Sequence, residues 1–223
     1  PGTTQISETD GMVLLYVPEG PFRMGSTDED IDDLLNVCSQ RPGEESSYLC
    51  ERHWYEPETP QHEVYLDAFW IDQTEVTNDQ FRKCVLEGDC LSPTRNCLGG
   101  NPSYLNYEKG NYPVVCMDWL NAQAYCEWSG RRLPTEAEWE KAGRGEDGRI
   151  FTWGDNSPRC YLANYVTCEA YAGEVVQRPD GASPYGVLDM LGNVEEWVAD
   201  WYDFEYYASS PYENPLGSDT SNH

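Results

Sequence analysis

The stretch "LDMLGNVEEWVADWYD", residues 188–203, concentrates carboxylates, a Gly-Asn pair and two tryptophans in one short segment. A hard cation such as calcium takes several oxygen ligands at about 2.3–2.6 Å, and a Gly-Asn turn lets main-chain carbonyls converge on such an ion. The stretch therefore predicts an oxygen-lined calcium site. The alternative is that these acids only cap turns in a solvated loop. We expect Trp197 and Trp201 to pack in the core behind this loop.

The cysteines indicate the compartment. They are Cys38, Cys50, Cys84, Cys90, Cys97, Cys116, Cys126, Cys160 and Cys168. None forms the C-x-x-C pair that is typical of zinc sites, and the short spacings Cys84/Cys90 and Cys160/Cys168 favour local disulfides. Disulfides form in oxidising compartments, so the protein is predicted to be secreted or displayed on a cell surface. The odd total leaves one thiol without a partner among these residues.

The charge of the chain excludes several classes of partner. Acidic residues number 40 and basic residues 14, which gives a formal net charge of −26. This charge repels phosphate backbones and anionic membrane surfaces, so nucleic acid is not an expected partner. No stretch approaches eighteen uncharged apolar residues, so no membrane span is predicted. The same charge attracts divalent cations.

The first quarter of the chain predicts two strands and an insertion. The segment "MVLLYVPEGPFRMGS" is typical of a β-hairpin closed by a Pro-Glu-Gly turn. Residues 26–60 are acidic and contain prolines, which indicates a surface insertion pinned by Cys38 and Cys50. This insertion lacks the glycine and the spaced oxygens of an EF-hand, so a solvated loop is predicted there.

Three helices have clear start signals. Thr77 and Gln80 form a capping-box pattern, Asp118 is an N-cap candidate, and Thr135 and Glu138 form a second capping box. A short strand, "YPVV", is expected just before the second of these helices. That helix carries an inward-facing stripe, which we predict to be Trp119, Ala122, Tyr125, Cys126 and Trp128.

The order of elements predicts an α+β fold. No helix of useful length is expected after Gly148, and no internal repeat is present. We predict a single loop-rich domain over residues 1–223, with two or three helices around small, interrupted antiparallel sheets.

Several ordered motifs resemble a known family. The segments "MVLLYVPEGPFRMGS", "LDAFWIDQTEVTNDQF", "YPVVCMDWLNAQAYCEWSGRRLPTEAEWEKAGRG", "FTWGD" and "YGVLDMLGNVEEWVADWY" occur in that order. The series resembles the formylglycine-generating enzyme, or sulfatase-modifying factor, family, whose domain is a variant of the C-type lectin fold. The likeness covers nearly the whole chain apart from the insertion, and it implies that fold here.

The resemblance also implies two calcium sites. The family's second site uses a side-chain oxygen, two main-chain carbonyls and a carboxylate, which fall here on Asp189, Gly192, Val194 and Glu196. Its first site corresponds to Asn164, Tyr165, Glu169 and Tyr171. The first match is the weaker one, because the loop is shorter than usual and Glu169 replaces an expected aspartate.

Catalysis in the family depends on residues that this sequence does not match. Family enzymes bind copper(I) through two cysteines on a C-terminal strand and use oxygen to convert a substrate cysteine to formylglycine; thiolates are the soft ligands that select copper(I). No cysteine pair here lies in that context, so no catalytic residue is assigned. Copper is expected only if a further segment follows His223. The resemblance implies that Cys126 bonds a cysteine of that segment.

Three functions are compatible with these observations. The first is a non-catalytic binding or scaffold module, stabilised by calcium and disulfides, for a protein or surface ligand. The second is an oxidase that acts on sulfatase cysteines, with its copper ligands beyond residue 223. The third is a recognition module that self-associates on a surface.

Overall fold

The computed structural model describes residues 2–39, 51–93, 103–165, 168–169 and 171–220. Five strands are present there: β1 (Thr4–Ile6), β2 (Val13–Val17), β3 (Gly20–Met24), β4 (His62–Leu66) and β5 (Phe69–Asp72). The same residues contain four α-helices: α1 (Asp28–Ser39), α2 (Asn78–Glu87), α3 (Trp119–Trp128) and α4 (Glu136–Arg144). The α+β class is confirmed, with one helix more than predicted.

The strands form two small antiparallel sheets. One has the order β1-β2-β5, with Leu15 opposite Ile71, and the other pairs β3 with β4, with Phe22 opposite Val64. The predicted hairpin is therefore wrong, because β2 and β3 lie in different sheets. The turn at Gly20, where φ is +147°, separates them, and each strand pairs instead with apolar residues more than forty positions later.

Helix α4 joins the two sheets. Its Ala137 packs with the apolar side chains of β3 and β4, and its Ala142 packs with those of β2. Val187 and Met190 belong to the second of these clusters. The segment that leads into residues 188–203 is therefore anchored in the core. Burying apolar side chains in this way is the main source of stability in such a domain.

The predicted helix caps are confirmed. Both capping boxes are complete: the side chains of Thr77 and Thr135 accept from the third helical N–H, and Gln80 and Glu138 accept from the capping residue. Asp118 caps α3 through the N–H of Asn121 at 2.8 Å. The short strand expected before α3 is absent, and only an isolated bridge between Thr77 and Pro113 occurs.

The acidic insertion begins with a helix, which corrects the prediction of a loop. Thr27 and Asp30 bond each other across the first turn of α1: the Thr27 N–H donates to Asp30 and the Asp30 N–H donates to Thr27 Oγ1. Acids in a first helical turn are stabilised by the helix dipole. The acidic residues from which a loop is predicted therefore partly mark the start of a helix. The predicted link between Cys38 and Cys50 lies outside the described residues.

The local disulfides are confirmed. Cys84 bonds Cys90, and Cys160 bonds Cys168. Cys126 is the free cysteine of the described part of the chain, as predicted, and its side chain is half-buried. No described helix is long and apolar enough to cross a membrane.

Candidate cation-binding cleft

A cleft of about 1550 Å³ lies beside β5 and α3. Strand β5 forms one wall, and Ala122, Tyr125 and Cys126 of α3 form another. Further lining comes from the two loops for which the sequence predicts calcium sites: Asn164, Tyr165, Glu169, Tyr171 and Ala172 of the first, and Val187, Leu188, Met190 and residues 193–197 of the second. The structure therefore brings both predicted loops to the same cleft.

The two loops are bonded directly to each other. The N–H of Asn193 donates to the carbonyl of Asn164 at 2.8 Å, and the Asn193 side-chain oxygen accepts from the N–H of Gly173 at 2.8 Å. The side-chain amide of Asn164 donates to the Tyr171 carbonyl at 3.1 Å and to Asn193 Oδ1 at 3.2 Å. Asn193 is thus the link between the loops.

The 189–196 loop depends on left-handed backbone conformations. Asp189, Gly192 and Asn193 have φ angles of 60°, 115° and 64°. A Cβ atom at position 192 would lie 2.2 Å from the carbonyl oxygen of Asn164. Only glycine allows this approach, because any side chain at that point would collide with main-chain atoms.

Two residues of the predicted second calcium site carry carboxylates, and each carboxylate accepts a hydrogen bond. Asp189 Oδ2 accepts from the N–H of Val176 at 3.0 Å, and Glu196 Oε2 accepts from the indole N–H of Trp139 at 2.7 Å. In the part of the chain that the structure describes, no three His, Cys, Asp or Glu side chains converge as a metal centre. The assignment of Gly192 and Val194 as carbonyl ligands stays a prediction.

The electrostatic environment of these acids favours a cation. Burial, followed by the charges of Asp189 and Asp72, raises the pKa of Glu196 to about 7. The Glu196 residue is nevertheless exposed to solvent, which weakens this shift. Burial also raises the pKa of Asp189 above its ordinary value. A bound cation would stabilise both ionised forms.

Glu75 is a further acid of the cleft, which sequence reasoning missed. It is 8% exposed, its Oε1 accepts from Asn193 Nδ2 at 2.9 Å, and its Oε2 is buried without a hydrogen-bond partner. Burial, followed by the charges of Glu196 and Asp189, raises the pKa of Glu75 to about 8. An acid within the apolar segment "FWIDQTEV" was the available signal.

The predicted first calcium site is only partly assembled. The Asn164 side-chain oxygen is buried without a partner, which fits a cation ligand. Glu169, however, forms an ion pair with Arg178 at 2.5 Å. The Tyr165 hydroxyl donates to the carbonyl of Pro158 at 3.3 Å. The structure thus joins Asn164 to Tyr171, whereas the Glu169 carboxylate already has a cationic partner.

The two tryptophans are not in the core, which corrects the prediction. Trp197 is 50% exposed and Trp201 is 62% exposed. The Trp197 indole N–H donates to the carbonyl of Met117 at 3.0 Å, and its ring lines the cleft. Both side chains are therefore at least half exposed rather than packed behind the loop.

An ion-pair network connects β5 to α3, and its members Asp72 and Tyr125 line the cleft. Arg131 pairs with Asp10 at 2.5 Å and with Asp72 at 3.1 Å, and the Tyr125 hydroxyl donates to Asp10 at 2.6 Å. Burial, followed by the charge of Asp72, raises the pKa of Cys126 to about 12. This thiol is therefore neutral at physiological pH, which makes it a poor nucleophile.

Known proteins resemble this chain over most of its length. The formylglycine-generating enzyme of Streptomyces coelicolor is 34% identical over 214 residues, which cover 73% of this chain and 67% of that enzyme. The hercynine oxygenase of Mycolicibacterium smegmatis is 30% identical, over 93% of this chain and 51% of that enzyme. A serine/threonine-protein kinase pkn1 of Chlamydia pneumoniae is 36% identical over 70% of this chain, which spans only 26% of that protein.

Solved structures share the fold. PvdO from Pseudomonas aeruginosa aligns with a TM-score of 0.73 and 24% identity, over 99% of this chain and 83% of that chain. Treponema denticola variable protein 1 aligns with a TM-score of 0.65 and 18% identity, over 98% and 84%. At these identities the likeness concerns the fold alone.

A family model described as the sulfatase-modifying factor enzyme 1-like domain matches residues 2–220. This match covers nearly the whole chain and agrees with the ordered motifs of the sequence. The chain belongs to the sulfatase-modifying factor enzyme 1-like family.

Proposed function

We propose that this chain is a calcium-stabilised, disulfide-bonded binding module of its family, with the cleft as its ligand surface. The observation that carries the proposal is the direct bond between Asn193 and Asn164, which joins two acidic loops into one wall. The local disulfides Cys84–Cys90 and Cys160–Cys168 support a location outside the cytosol.

Calcium is assigned to the 189–196 loop. Asp189 and Glu196 would supply carboxylate oxygens, and Gly192 and Val194 would supply main-chain carbonyls. The pKa values of both acids are raised, chiefly by burial, and a bound cation would favour their ionised forms. A bound calcium ion would hold the loop against the Asn164 segment and so fix the shape of the cleft wall.

The ligand of the cleft is a polypeptide segment in extended conformation. Among the described residues, no strand pairs with the outer edge of β5, and this edge lines the cleft. An unpaired strand edge is a template for an added strand. Cys126 lies on the neighbouring wall, where a cysteine of the segment would bond it. Such a segment could be supplied by further sequence of the same protein or by a partner.

Thermal unfolding with and without calcium tests the proposal. We expect calcium to raise the melting temperature relative to a chelator, and Glu196→Gln to abolish most of that rise. Glu63→Gln, at an exposed position of β4, is the matched control. An unchanged melting temperature in chelator would contradict the calcium assignment. Size-exclusion chromatography over a range of concentrations tests the alternative of self-association.

Formylglycine generation is a second candidate, supported by the 34% identity to the Streptomyces coelicolor enzyme. In the described residues Cys126 is the free cysteine, so a two-thiolate copper site does not fit them. Oxygen-dependent conversion of a Cys-x-Pro-x-Arg peptide by this chain with copper, read by mass spectrometry, would establish the activity and overturn the binding-module proposal.

A further inference from the structure

Residues 200–217 form a strap that crosses β4 and α4. The Tyr65 N–H of β4 donates to the Tyr212 carbonyl at 2.7 Å, and the Asn214 N–H donates to the Tyr65 carbonyl at 2.8 Å. Most of the strap is exposed, and Tyr207, which is 6% exposed, anchors it in the core. A segment with so few buried side chains can open locally while the rest of the domain stays folded.

Glu136 connects the strap to α4 at two points. The Tyr207 hydroxyl donates to Glu136 Oε1 at 3.1 Å, and the main-chain N–H of Glu136 donates to Asp200 Oδ2 at 2.8 Å. The Tyr207 ring belongs to the same apolar cluster as Ala137. The carboxyl group of Glu136 therefore lies at the contact between the helix and the strap.

Further titratable and charged groups face this contact from the surrounding elements. They are Glu140 and Arg144 of α4, Arg132 and Glu138 beside Asp200, Glu58 of the insertion, His62 of β4, Tyr206 of the strap, and Asp30 of α1, which faces Arg144. Both arginines are already paired, Arg144 with Glu140 at 3.0 Å and Arg132 with Glu138 at 2.6 Å. Among the described residues no basic side chain forms an ion pair with Glu136, so carboxylates predominate around it.

A proton is the cation that fits this contact. Close carboxylates without enough basic partners favour protonation. In the described part of the chain no three His, Cys, Asp or Glu side chains are placed to hold a metal ion. Burial is the main cause that raises the pKa of Glu136 to about 7, and the charges of Asp200 and Glu140 add to it. The hydrogen bond from Tyr207 opposes this rise without reversing it.

We propose that the strap is a pH-responsive element, which lies closed on α4 while Glu136 holds a proton and opens locally when that proton passes to water. The ionised Glu136 repels Asp200 of the strap and Glu58 of the insertion. Opening returns Glu136 to solvent, where its pKa has the ordinary value of 4.5. Closure is therefore most favoured below about pH 4.5 and weakens as pH rises to about 7. The strap lies outside the cleft and the 189–196 loop, so its response is independent of calcium.

The response would change a groove beside the acidic insertion. This groove has a volume of about 750 Å³. Its lining residues come from the strap, such as Phe204, and from the insertion, such as Asp28 and Arg52. Opening of the strap would widen the groove, so the surface that the protein presents there would depend on pH.

Hydrogen exchange, measured by NMR at about pH 5 and about pH 7.5 with low concentrations of urea, tests the proposal. The N–H groups of Tyr65 and Asn214 report on the strap, and those of Gln73 and Phe81 report on the rest of the domain. We expect the strap groups to be less protected at both pH values. Their protection should hardly depend on urea, since a local opening exposes little surface. After correction for intrinsic exchange, it should fall about tenfold or more between the two pH values.

Glu136→Gln is the decisive variant, since glutamine keeps an acceptor for Tyr207 and carries no charge at either pH. Its strap N–H groups should be as well protected at about pH 7.5 as at about pH 5. Glu63→Gln, at an exposed position of β4, should behave like the unmodified chain. If Glu136→Gln fails to fold, carbon NMR titration of the Glu136 carboxyl in the unmodified chain decides, because its midpoint should coincide with the loss of protection.

Several results would overturn the proposal. They are protection of the strap that does not change with pH, equal urea dependence of the strap and of Gln73 and Phe81, and an unaltered pH dependence in Glu136→Gln. A Glu136 titration midpoint near 4.5 in the folded chain would do the same.

Discussion

The N–H of Asn193 donates to the carbonyl of Asn164 at 2.8 Å, although the two residues are 29 positions apart. The Asn193 side chain continues the contact to Glu75, which lies 118 positions away. One residue therefore ties two acidic loops to the segment that leads from β5 to α2. Together with the bonds from Gly173 and Val176, this residue links the segments that form the cleft wall.

The close approach at Gly192 predicts a large cost for adding one carbon. Gly192→Ala places Cβ 2.2 Å from the Asn164 carbonyl oxygen at a φ of 115°. We expect it to lower the free energy of unfolding by roughly 3 kcal/mol or more, from strain and collision together. Urea denaturation measures this change.

Gly154→Ala is the matched control. Gly154 has the same φ of 115°, but no atom lies within 4 Å of its added Cβ. It should cost only the conformational penalty, about 1–2 kcal/mol. Equal losses for the two variants would show that the contact between the loops does not constrain position 192.

Local signals in the sequence predicted local structure. Thr77 and Gln80 are three residues apart, and their capping box forms as expected. The same holds for Thr135 and Glu138. Such patterns succeed because both partners lie within one helical turn, so no other part of the chain has to be known.

Contacts between residues that are far apart in the chain could not be predicted from the sequence. The turn after Val17 is typical of a hairpin, yet β2 pairs with β5 because Leu15 and Ile71 bury each other's apolar surface in a common cluster. Glu75 could not be placed beside Asn193 from spacing alone. The two acidic loops were identified one by one, but the bond that joins them depends on the whole fold.

The buried network at Asp10 predicts a stability loss in acid and on substitution. Burial raises the pKa of Asp10, but hydrogen bonds from Arg131, Ser7 and Tyr125 outweigh it and hold the pKa well below its ordinary value. Because the folded pKa is the lower one, this stability is present above the unfolded pKa of about 3.8 and is lost as pH falls below it.

Asp10→Asn should cost about 3 kcal/mol at neutral pH, because it removes the buried anion that Arg131 faces. Tyr125→Phe removes a single hydrogen bond and should cost about 1 kcal/mol. Urea denaturation at pH 7 compares the two. A smaller loss for Asp10→Asn than for Tyr125→Phe would contradict the central place of the carboxylate.

The raised pKa of Glu136 predicts a contribution to stability that decreases as pH rises, the opposite of that of Asp10. Burial, opposed by the Tyr207 hydroxyl bond and aided by the charges of Asp200 and Glu140, raises the pKa of Glu136 to about 7. The folded state therefore binds more protons than the unfolded state between about pH 4.5 and 7. The contribution of Glu136 is fully present below pH 4.5 and is lost as pH rises to 7.

Glu136→Gln should remove this contribution. Between pH 4.5 and 7 the free energy of unfolding should fall less in the variant, by about 1–2 kcal/mol, which allows for the partial exposure of the side chain. The measurement is urea denaturation at several pH values. Glu63→Gln should leave the pH dependence as it is, and identical curves for all three proteins would rule out the role of Glu136.

The environment of Cys126 predicts slow alkylation. With its pKa raised to about 12 by burial and by the charge of Asp72, almost no thiolate is present at pH 7.4. Iodoacetamide should react with Cys126 at least about a hundredfold more slowly than with glutathione, and the rate should rise with pH.

Asp72→Asn removes the nearby negative charge, so it should lower the pKa of Cys126 and speed its alkylation, whereas Asp67→Asn at an exposed position should not. Unfolding in urea should restore an ordinary rate. A rate in the folded protein equal to that of glutathione would mean that the fold does not raise the pKa of the Cys126 thiol.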